Sequence, residues 1–423
     1  MATSGTYVFN ATAGDIIKEA LGIIGEYDPT ESIPDSESND ALRTLNMMLK
    51  LWEHKVGLWT VRELYLFFQA DTIRYNLGIT GDHFTETAVK TEVATAASSG
   101  ASSVVIDATT DFNDTFDRDG LVTSTTPSGA GTVTLDGDLV TNAIATLSGQ
   151  RKVLIFSDGD ESGVVFSLVG QNTAGVAVTE NITGPNTTTV YSANEYKTVT
   201  SVTINGAGTG NIEVGQVGDH VGIELDDDSL HWTFIAGALS TTLPLVTALT
   251  DTAALDNHVY SYKIKAPRPI ELIETRLHKS DAQDVPLITA GRLDYELLSN
   301  KRISGTVNQV FYDKQLGNGV MEVWPMPSDM KDYLKFTAKI PIQDMVNLTD
   351  DFEVAKEWFL PIAWALAPLL APKYEKPIDP AMLLMAETLY DEAMDADTEN
   401  TSSYLQIGQG WHGRGSSFGG ARG

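Results

Sequence analysis

Residues 357–374 read EWFLPIAWALAPLLAPKY, the most densely apolar stretch of the chain. Apolar residues recur there at helical spacing, at Trp358, Ile362, Ala365 and Leu369. This spacing predicts a helix with one buried face. Proline removes a backbone donor and clashes with the preceding turn, so each of three prolines has a predicted place. Pro361 fits a first turn, Pro368 predicts a kink and Pro372 predicts the end of the helix.

A second helix is predicted directly after it, with Asp379 as N-cap and Pro380 at the first helical position. Its apolar stripe consists of Met382, Met385, Ala386, Leu389 and Ala393. Because both helices are amphipathic, each needs a packing partner.

The N-terminal residues supply the candidate partners. Thr12 and Asp15 form a capping-box pattern that starts one helix, and Gly25 is placed to end it. Another helix is predicted over residues 36–56, with an apolar line at Leu42, Leu45, Leu49, Trp52 and Val56. We therefore expect helices from both chain ends to form one bundle.

Between the two ends of the chain, apolar residues recur at every second position instead of at helical spacing. Residues 63–68 and 73–78 predict a β-hairpin, and residues 93–218 hold short alternating runs separated by turn residues. The latter pattern is typical of an immunoglobulin-sized β-sandwich. Alternating runs at 102–108 and 218–262 predict a small β-barrel that the sandwich interrupts.

After Pro269 the sequence again contains the helix and hairpin patterns that are found before about residue 90. Thr289 is placed to cap a helix through Leu293, Leu297 and Leu298. Residues 307–313 and 319–324 flank a Gly-Asn-Gly hairpin signal, and a strand is predicted at 333–338.

The predicted fold class is α+β, with a helical bundle core formed by both chain ends and an inserted β-barrel that carries a nested immunoglobulin-like β-sandwich. The predicted domains are a helical core with β-hairpins (1–90 and 263–400), a small β-barrel (91–116 and 218–262), an inserted β-sandwich (117–217) and a flexible C-terminal arm (401–423).

Composition limits the function. The 423 residues include 57 acidic and 28 basic side chains, a formal charge of −29, which opposes sequence-specific binding to nucleic acid. The absence of cysteine excludes disulfides, thiolate nucleophiles and cysteine-bound metal. No run is long and apolar enough for a membrane span and no signal-peptide pattern is present, so we expect synthesis and folding inside a cell.

Residue patterns for chemistry are weak. Residues 158–163 (DGDESG) open like a calcium loop, but position twelve is Val169 rather than an acid, so a polar turn is the better interpretation. Asp226, Asp227 and Asp228 more often form a solvated turn than a cation site. The seven histidines have no metal-ligand spacing, and no phosphate loop or nucleophile elbow is present. We expect no catalytic, cofactor or metal site and no enzyme, although a carboxylate pair distant in sequence stays possible.

The glycine-rich tail beyond residue 400 contains arginine and aromatic residues and, from residue 401, no acid. Its Trp411, Arg414 and Phe418 are consistent with a disordered terminus and equally with anchors for a partner, because such side chains are frequent interface hot spots.

Five segments follow one another in a characteristic order: 40–49 (DALRTLNMML) leading to Trp52, 75–78 (YNLG), 265–270 (KAPRPI), 323–327 (VWPMP) and 366–374 (LAPLLAPKY). This order resembles the head-to-tail connector family of short-tailed phages, the tail accessory or packaged-DNA stabilisation proteins, and is also similar to tail tubular protein A. The resemblance covers about residues 10–80 and 263–397, and 102–108 with 218–262 resemble the barrel of larger members. The sandwich departs from the minimal family pattern.

The resemblance implies a structural virion protein of the phage neck, assembled in the host cytoplasm as a ring that is expected to be twelve-fold. Its partners would be the portal protein and other tail proteins such as nozzle and fibres. DNA would pass through the channel without sequence-specific binding. The family's C-terminal segment reaches the portal, which assigns portal contact to Tyr404, Trp411, Arg414 and Phe418. Two alternatives are a tail-associated peptidoglycan hydrolase and a glycan-binding adhesin that uses the sandwich.

Overall fold

The computed structural model describes residues 9–27, 33–55, 60–108, 112 and 115–398. These residues fall into two compact units, each considered by itself below. The helical unit lies within 1–59 and 344–423, and the β-rich unit comprises 60–343.

The described residues form five α-helices. They are α1 (Ala13–Ile23), α2 (Asp35–Trp52), α3 (Arg292–Glu296), α4 (Phe359–Leu370) and α5 (Pro380–Ala396).

Strands make up most of the regular structure. In the first part of the chain they are β1 (Val61–Phe67), β2 (Arg74–Leu77), β3 (Phe84–Thr85), β4 (Val89–Thr95), β5 (Ser103–Ile106), β6 (Asp117–Thr125), β7 (Gly131–Val133), β8 (Val140–Thr141), β9 (Ile144–Ser157), β10 (Val165–Gln171), β11 (Ala177–Thr183), β12 (Thr189–Ile204) and β13 (Ile212–Gln216). The remaining strands are β14 (His220–Glu224), β15 (Leu230–Phe234), β16 (Thr242–Pro244), β17 (His258–Tyr262), β18 (Glu271–His278), β19 (Asp284–Pro286), β20 (Ile288–Thr289), β21 (Ser304–Gly305), β22 (Gln309–Asp313), β23 (Gly319–Trp324), β24 (Met326–Pro327) and β25 (Tyr333–Lys339).

Helix α4 is the centre of the helical unit and contacts α1, α2 and α5. The predicted caps at both ends of the sequence are confirmed. Thr12 and Asp15 form a reciprocal capping box on α1, and the Asp379 side chain accepts a hydrogen bond from the Ala381 N–H at the start of α5. Beyond α1, Gly25 has a φ of +67°, a conformation that favours glycine.

The predicted apolar faces of the C-terminal helices need correction. In α4 the buried residues are Phe359, Pro361, Ile362, Ala363, Leu366, Ala367 and Leu370, whereas Leu369 is exposed. In α5 only Ala386 and Ala393 are buried, and Met385 is exposed. The α4 face differs because α1, α2 and α5 pack around several sides of the helix, which a single stripe does not describe.

The β-rich unit is built around a five-stranded sheet in the order β19-β18-β25-β1-β3 and a four-stranded sheet in the order β2-β23-β22-β20. The predicted hairpin of 63–68 with 73–78 is wrong. Strand β1 pairs with β25 and β3, while β2 pairs with β23. Pairing over some 270 residues is favoured here because it buries Leu64, Leu66 and Phe336 in one core.

Two later predictions in this unit differ in outcome. Strands β22 and β23 form the predicted antiparallel hairpin. The helix predicted from Thr289 is wrong in its extent, because α3 spans only five residues after Gly291, and both Leu293 and Leu297 are exposed.

The six-stranded sheet is a half-barrel in the order β15-β14-β17-β4-β5-β16. Its edge strands meet at a bridge between Ile235 and Leu245. The strands come from the two segments that the sequence assigns to a small barrel.

Residues 117–216 form an eight-stranded antiparallel sheet around a separate apolar core. Its long strands β9 and β12 pair with each other and with strands on both sides, so the segment is one continuous hydrogen-bonded sheet.

The fold is therefore mixed α and β, with mostly strands, few helices and a half-barrel sheet. Residues 60–90 and 263–343, which the sequence analysis groups with the helices, lie in the β-rich unit. Among the described residues, no helix has the length and apolar character needed to cross a bilayer.

Candidate interaction surfaces

The four residues predicted to contact a portal, Tyr404, Trp411, Arg414 and Phe418, lie outside the described residues. The surfaces of the two units therefore provide the observations on which function can be argued.

The outer side of α2 carries an apolar and basic stripe, here called the α2 face and defined by Arg43, Met47, Lys50 and Leu51. The spacing of i, i+4, i+7 and i+8 places all four on one side of the helix. Met47 is 65% exposed and Leu51 is 63% exposed, although both are large apolar side chains. Exposed apolar side chains grouped with cations are typical of a protein contact.

The α2 face borders an open groove of about 570 Å³, lined by the helix and by Asp344. Asn46 fixes the neighbouring chain segment, because its amide exchanges two hydrogen bonds with the backbone of Met345. Lys50 lies across the groove, 2.8 Å from Glu53 and 3.0 Å from Asp344. The groove is thus a defined surface rather than a gap between loose segments.

Helix α5 carries a surface of opposite charge, here called the α5 face and defined by Leu384, Glu387, Thr388 and Asp391. These residues follow the spacing i, i+3, i+4 and i+7, and all four are exposed. Leu384 is 65% exposed. Residues 380–396 contain four acids and no lysine or arginine, so this face is apolar and acidic.

An aromatic cluster fixes the helices that carry these faces. Trp52 of α2 lies 5.9 Å from Trp358 and 4.8 Å from Tyr390 of α5, measured between ring centroids. Lys373 adds a hydrogen bond of 2.7 Å to Asp40. The α2 and α5 faces are therefore held by one packed core, which includes the fully buried Trp358.

In the β-rich unit, four large apolar side chains on α3 and in the segments flanking it are exposed, and they define a second candidate surface: Ile288, Leu293, Leu297 and Ile303. Arg292 of α3 pairs with Asp313 of β22 at 2.6 Å, and the indole N–H of Trp324 donates to the Asn300 carbonyl. The sequence analysis did not find this surface, because helical spacing alone does not show whether a face is covered.

The calcium-loop pattern at 158–163 is a structural turn. Asp158 accepts hydrogen bonds from the backbone and side chain of Asn211, and the Asp160 carboxylate is turned toward Ser162. Glu161 is buried and accepts from the N–H groups of Thr209 and Gly210. The carboxylates hold two loops together.

The three consecutive aspartates also form a turn. Asp226 accepts from Thr252, Ala254 and Asn257, and Asp227 accepts from Ser229. Within the described ranges, no group of three acidic or histidine side chains could hold a metal ion.

Two acids of the five-stranded sheet, Glu63 and Glu274, line a small cleft of about 140 Å³. Each carboxylate is paired with a cation, Glu63 with Lys335 at 3.2 Å and Glu274 with Arg276 at 2.6 Å. This pairing favours a structural role over the acid and nucleophile roles of a glycosidase pair.

The β-rich unit also contains a buried polar cluster that sequence reasoning missed. Arg151 and Asp219 form an ion pair of 2.6 Å and both are almost fully buried. Burial raises the pKa of Asp219, and the Arg151 guanidinium opposes this shift. His83 and His220 lie nearby, and burial lowers the pKa of both imidazoles well below the usual range. This grouping of two imidazoles with a buried ion pair has no signal in the sequence, because the residues are up to 137 positions apart.

Comparison of the chain with known protein families, with curated proteins and with solved structures finds no match.

Proposed function

We propose that this protein is a structural adaptor of a phage neck, which assembles as a ring on the portal, extends the DNA channel and provides the platform for the tail. In this proposal the helices form a bundle core, the half-barrel is a small inserted barrel, and residues 117–217 are an immunoglobulin-like insertion. The single observation that carries it is the pair of exposed faces on the helical unit, one apolar and basic and the other apolar and acidic.

Two different faces on one subunit favour a ring. A contact between unlike surfaces repeats from copy to copy and closes when the rotation permits. Charge complementarity between Arg43 on the α2 face and Asp391 on the α5 face would fix orientation and exclude like-with-like pairing. The exposed Met47, Leu51 and Leu384 would supply apolar burial in the same contact.

The charge of the whole chain supports the channel role. A formal charge of −29 gives a surface that repels phosphate, which suits a wall past which DNA must move without sticking. Repulsion between acidic subunits opposes assembly of such a ring. The basic α2 face would reduce this repulsion at the contact between subunits.

The identity of the partner comes from the resemblance to connector proteins. Residues 401–423 would contact the portal, with Tyr404, Trp411, Arg414 and Phe418 as anchors. A segment that orders on binding can cover a large surface without a preformed site.

The ring is tested by charge reversal on each face. We expect Arg43→Glu and Asp391→Lys each to convert the ring into monomers, and the double variant to recover rings because both charges are exchanged together. Lys18→Glu is the matched control, since Lys18 is exposed and lies on α1, a helix that contributes no residue to either face. Light scattering after size exclusion measures the mass, and electron microscopy with purified portal measures docking.

A wild-type chain that stays monomeric both alone and with portal contradicts the proposal. Rings that persist in both single variants would instead assign assembly to other surfaces. Deletion of residues 401–423 should abolish portal docking and leave the fold intact, and unchanged docking would refute the role given to the arm.

A further inference from the structure

A polar clamp links the eight-stranded sheet to the half-barrel. The chain enters the sheet near Thr115 and leaves it near Gln216. Arg151 of β9 reaches Asp219 at 2.6 Å, and the Thr115 hydroxyl donates to the same carboxylate at 2.6 Å. The Gln216 amide donates to the Thr115 carbonyl at 2.7 Å. One buried arginine thus holds both connections.

Apolar packing continues the clamp. Leu154 of the eight-stranded sheet, Val217 of the outgoing connection and Phe234 of the half-barrel form one buried cluster. Val217 has no exposed surface, and its cluster partners come from both parts, so separation of the parts would remove the cover that Phe234 provides.

Two imidazoles lie beside this clamp. His220 directly follows Asp219, and its ring stacks on Tyr262 with centroids 4.6 Å apart. His83 accepts or donates a hydrogen bond of 2.8 Å to the Tyr262 hydroxyl and stacks on Trp232 at 3.9 Å. Both rings line a cavity of about 270 Å³.

The charged surroundings of the rings are mainly positive. The groups that face them from the packed elements are Arg151, Lys152, Glu195, Asp219, Trp232, Phe234, Tyr262, Lys265 and each other's imidazole. Of the two carboxylates, Asp219 is bound by Arg151 and Glu195 accepts a hydrogen bond from Gln150 at 3.0 Å. Lys265 opposes a proton on His83, and Arg151 and Lys265 oppose a proton on His220. Asp219 is already paired with Arg151, and the Glu195 carboxylate lines the same cavity.

We propose that this junction is an acid-sensitive coupling, which holds the eight-stranded sheet against the half-barrel at neutral pH and opens when His83 and His220 are protonated. Opening here means separation at the Arg151 clamp with exposure of Val217. The inference does not depend on ring assembly.

The direction follows from linkage. Burial lowers the pKa of both histidines in the closed state well below 6.5, and in an open, hydrated state they return toward the ordinary value. As pH falls through about 6.5, the open state takes up protons that the closed state does not. Below about pH 6.5 each histidine raises the opening constant by up to about tenfold per pH unit, and the two histidines together raise it by up to about 100-fold per pH unit.

The absence of cysteine in the chain allows a direct test. Val217→Cys places one thiol at the junction, and its labelling by 4,4′-dithiodipyridine, divided by the rate for a small thiol at the same pH, gives the opening constant. Val202→Cys places a thiol in the core of the eight-stranded sheet and reports unfolding of that sheet itself.

Between pH 7.5 and 5.5 we expect the Val217→Cys opening constant to rise by about tenfold or more while that of Val202→Cys changes much less. His220→Phe keeps the ring stacking, and His83→Gln keeps a partner for the Tyr262 hydroxyl. Each added to Val217→Cys should flatten the rise, whereas His278→Asn, which removes a partly exposed histidine paired with Asp284, should not.

Two results would overturn the proposal. The first is labelling of Val217→Cys that parallels Val202→Cys at every pH, which would mean global unfolding. The second is a rise that persists in the His83→Gln and His220→Phe variants and in their combination.

Discussion

Replacement of Trp358 by alanine should destabilise the helical unit strongly. Trp358 is 1% exposed and its ring packs 5.9 Å from Trp52 and 5.7 Å from Tyr390. Truncation of a buried tryptophan costs about 3–5 kcal/mol, a range that includes the lost aromatic contacts. Since whole domains are stable by about 5–15 kcal/mol, this is a large share of the unit's stability.

Urea unfolding followed by circular dichroism at the helix band measures the effect. The signal reports this unit because every described α-helix except the five-residue α3 lies within it. We expect a lower midpoint with an unchanged slope, at protein concentrations low enough to prevent assembly.

Leu360→Ala is the matched control, because Leu360 is exposed on the same helix and should change the free energy of unfolding by less than about 0.5 kcal/mol. A Trp358→Ala variant within about 1 kcal/mol of the wild type would refute the assignment of this ring to the core of the unit.

Three further predictions concern single polar groups. Arg151→Met leaves the buried Asp219 without its cation and should cost about 3–5 kcal/mol, measured by urea unfolding with near-ultraviolet dichroism. Glu161→Ala removes the acceptor for two backbone N–H groups and should cost about 1–3 kcal/mol in the same assay, and a loss below the error of the fit would contradict the role of Glu161. Hydrogen bonds from Thr12 lower the pKa of Asp15 in the folded state, so its contribution to stability is present above about pH 4 and is lost as pH falls through the lowered pKa. Asp15→Asn should therefore be less stable than the wild type at pH 6, and this difference should shrink by pH 3.

Local signals in the sequence predicted the parts of the fold that local physics governs. The capping box of Thr12 and Asp15, the Asp379 cap and the hairpin of β22 with β23 depend on residues close in sequence, and each is confirmed. The α2 line of Leu42, Leu45 and Leu49 is buried as predicted.

The predictions that are wrong concern contacts with segments that are distant in sequence. The sequence places β1 and β2 as a hairpin, but β1 pairs with β25, and this pairing puts Leu64 and Leu66 in one core with Leu334 and Phe336. The leucines of α3 have helical spacing, which does not reveal whether a face meets a partner, and they are exposed. The candidate faces on α2 and α5 could be recognised only after the contacts with α4 had shown which sides of these two helices remain uncovered.

By itself the sequence determined the element types at both ends of the chain, the alternation of the β-rich middle, the acidic charge and the absence of thiol chemistry. Caps, turns and periodic patterns involve residues within a few positions of one another, so a short stretch of sequence is enough to predict them. Tertiary structure alone decided which strands pair, which apolar side chains stay exposed and that the half-buried His83 lies near the buried Arg151 and His220. Those outcomes depend on the burial of surfaces contributed by distant segments, and no short stretch of sequence carries that information.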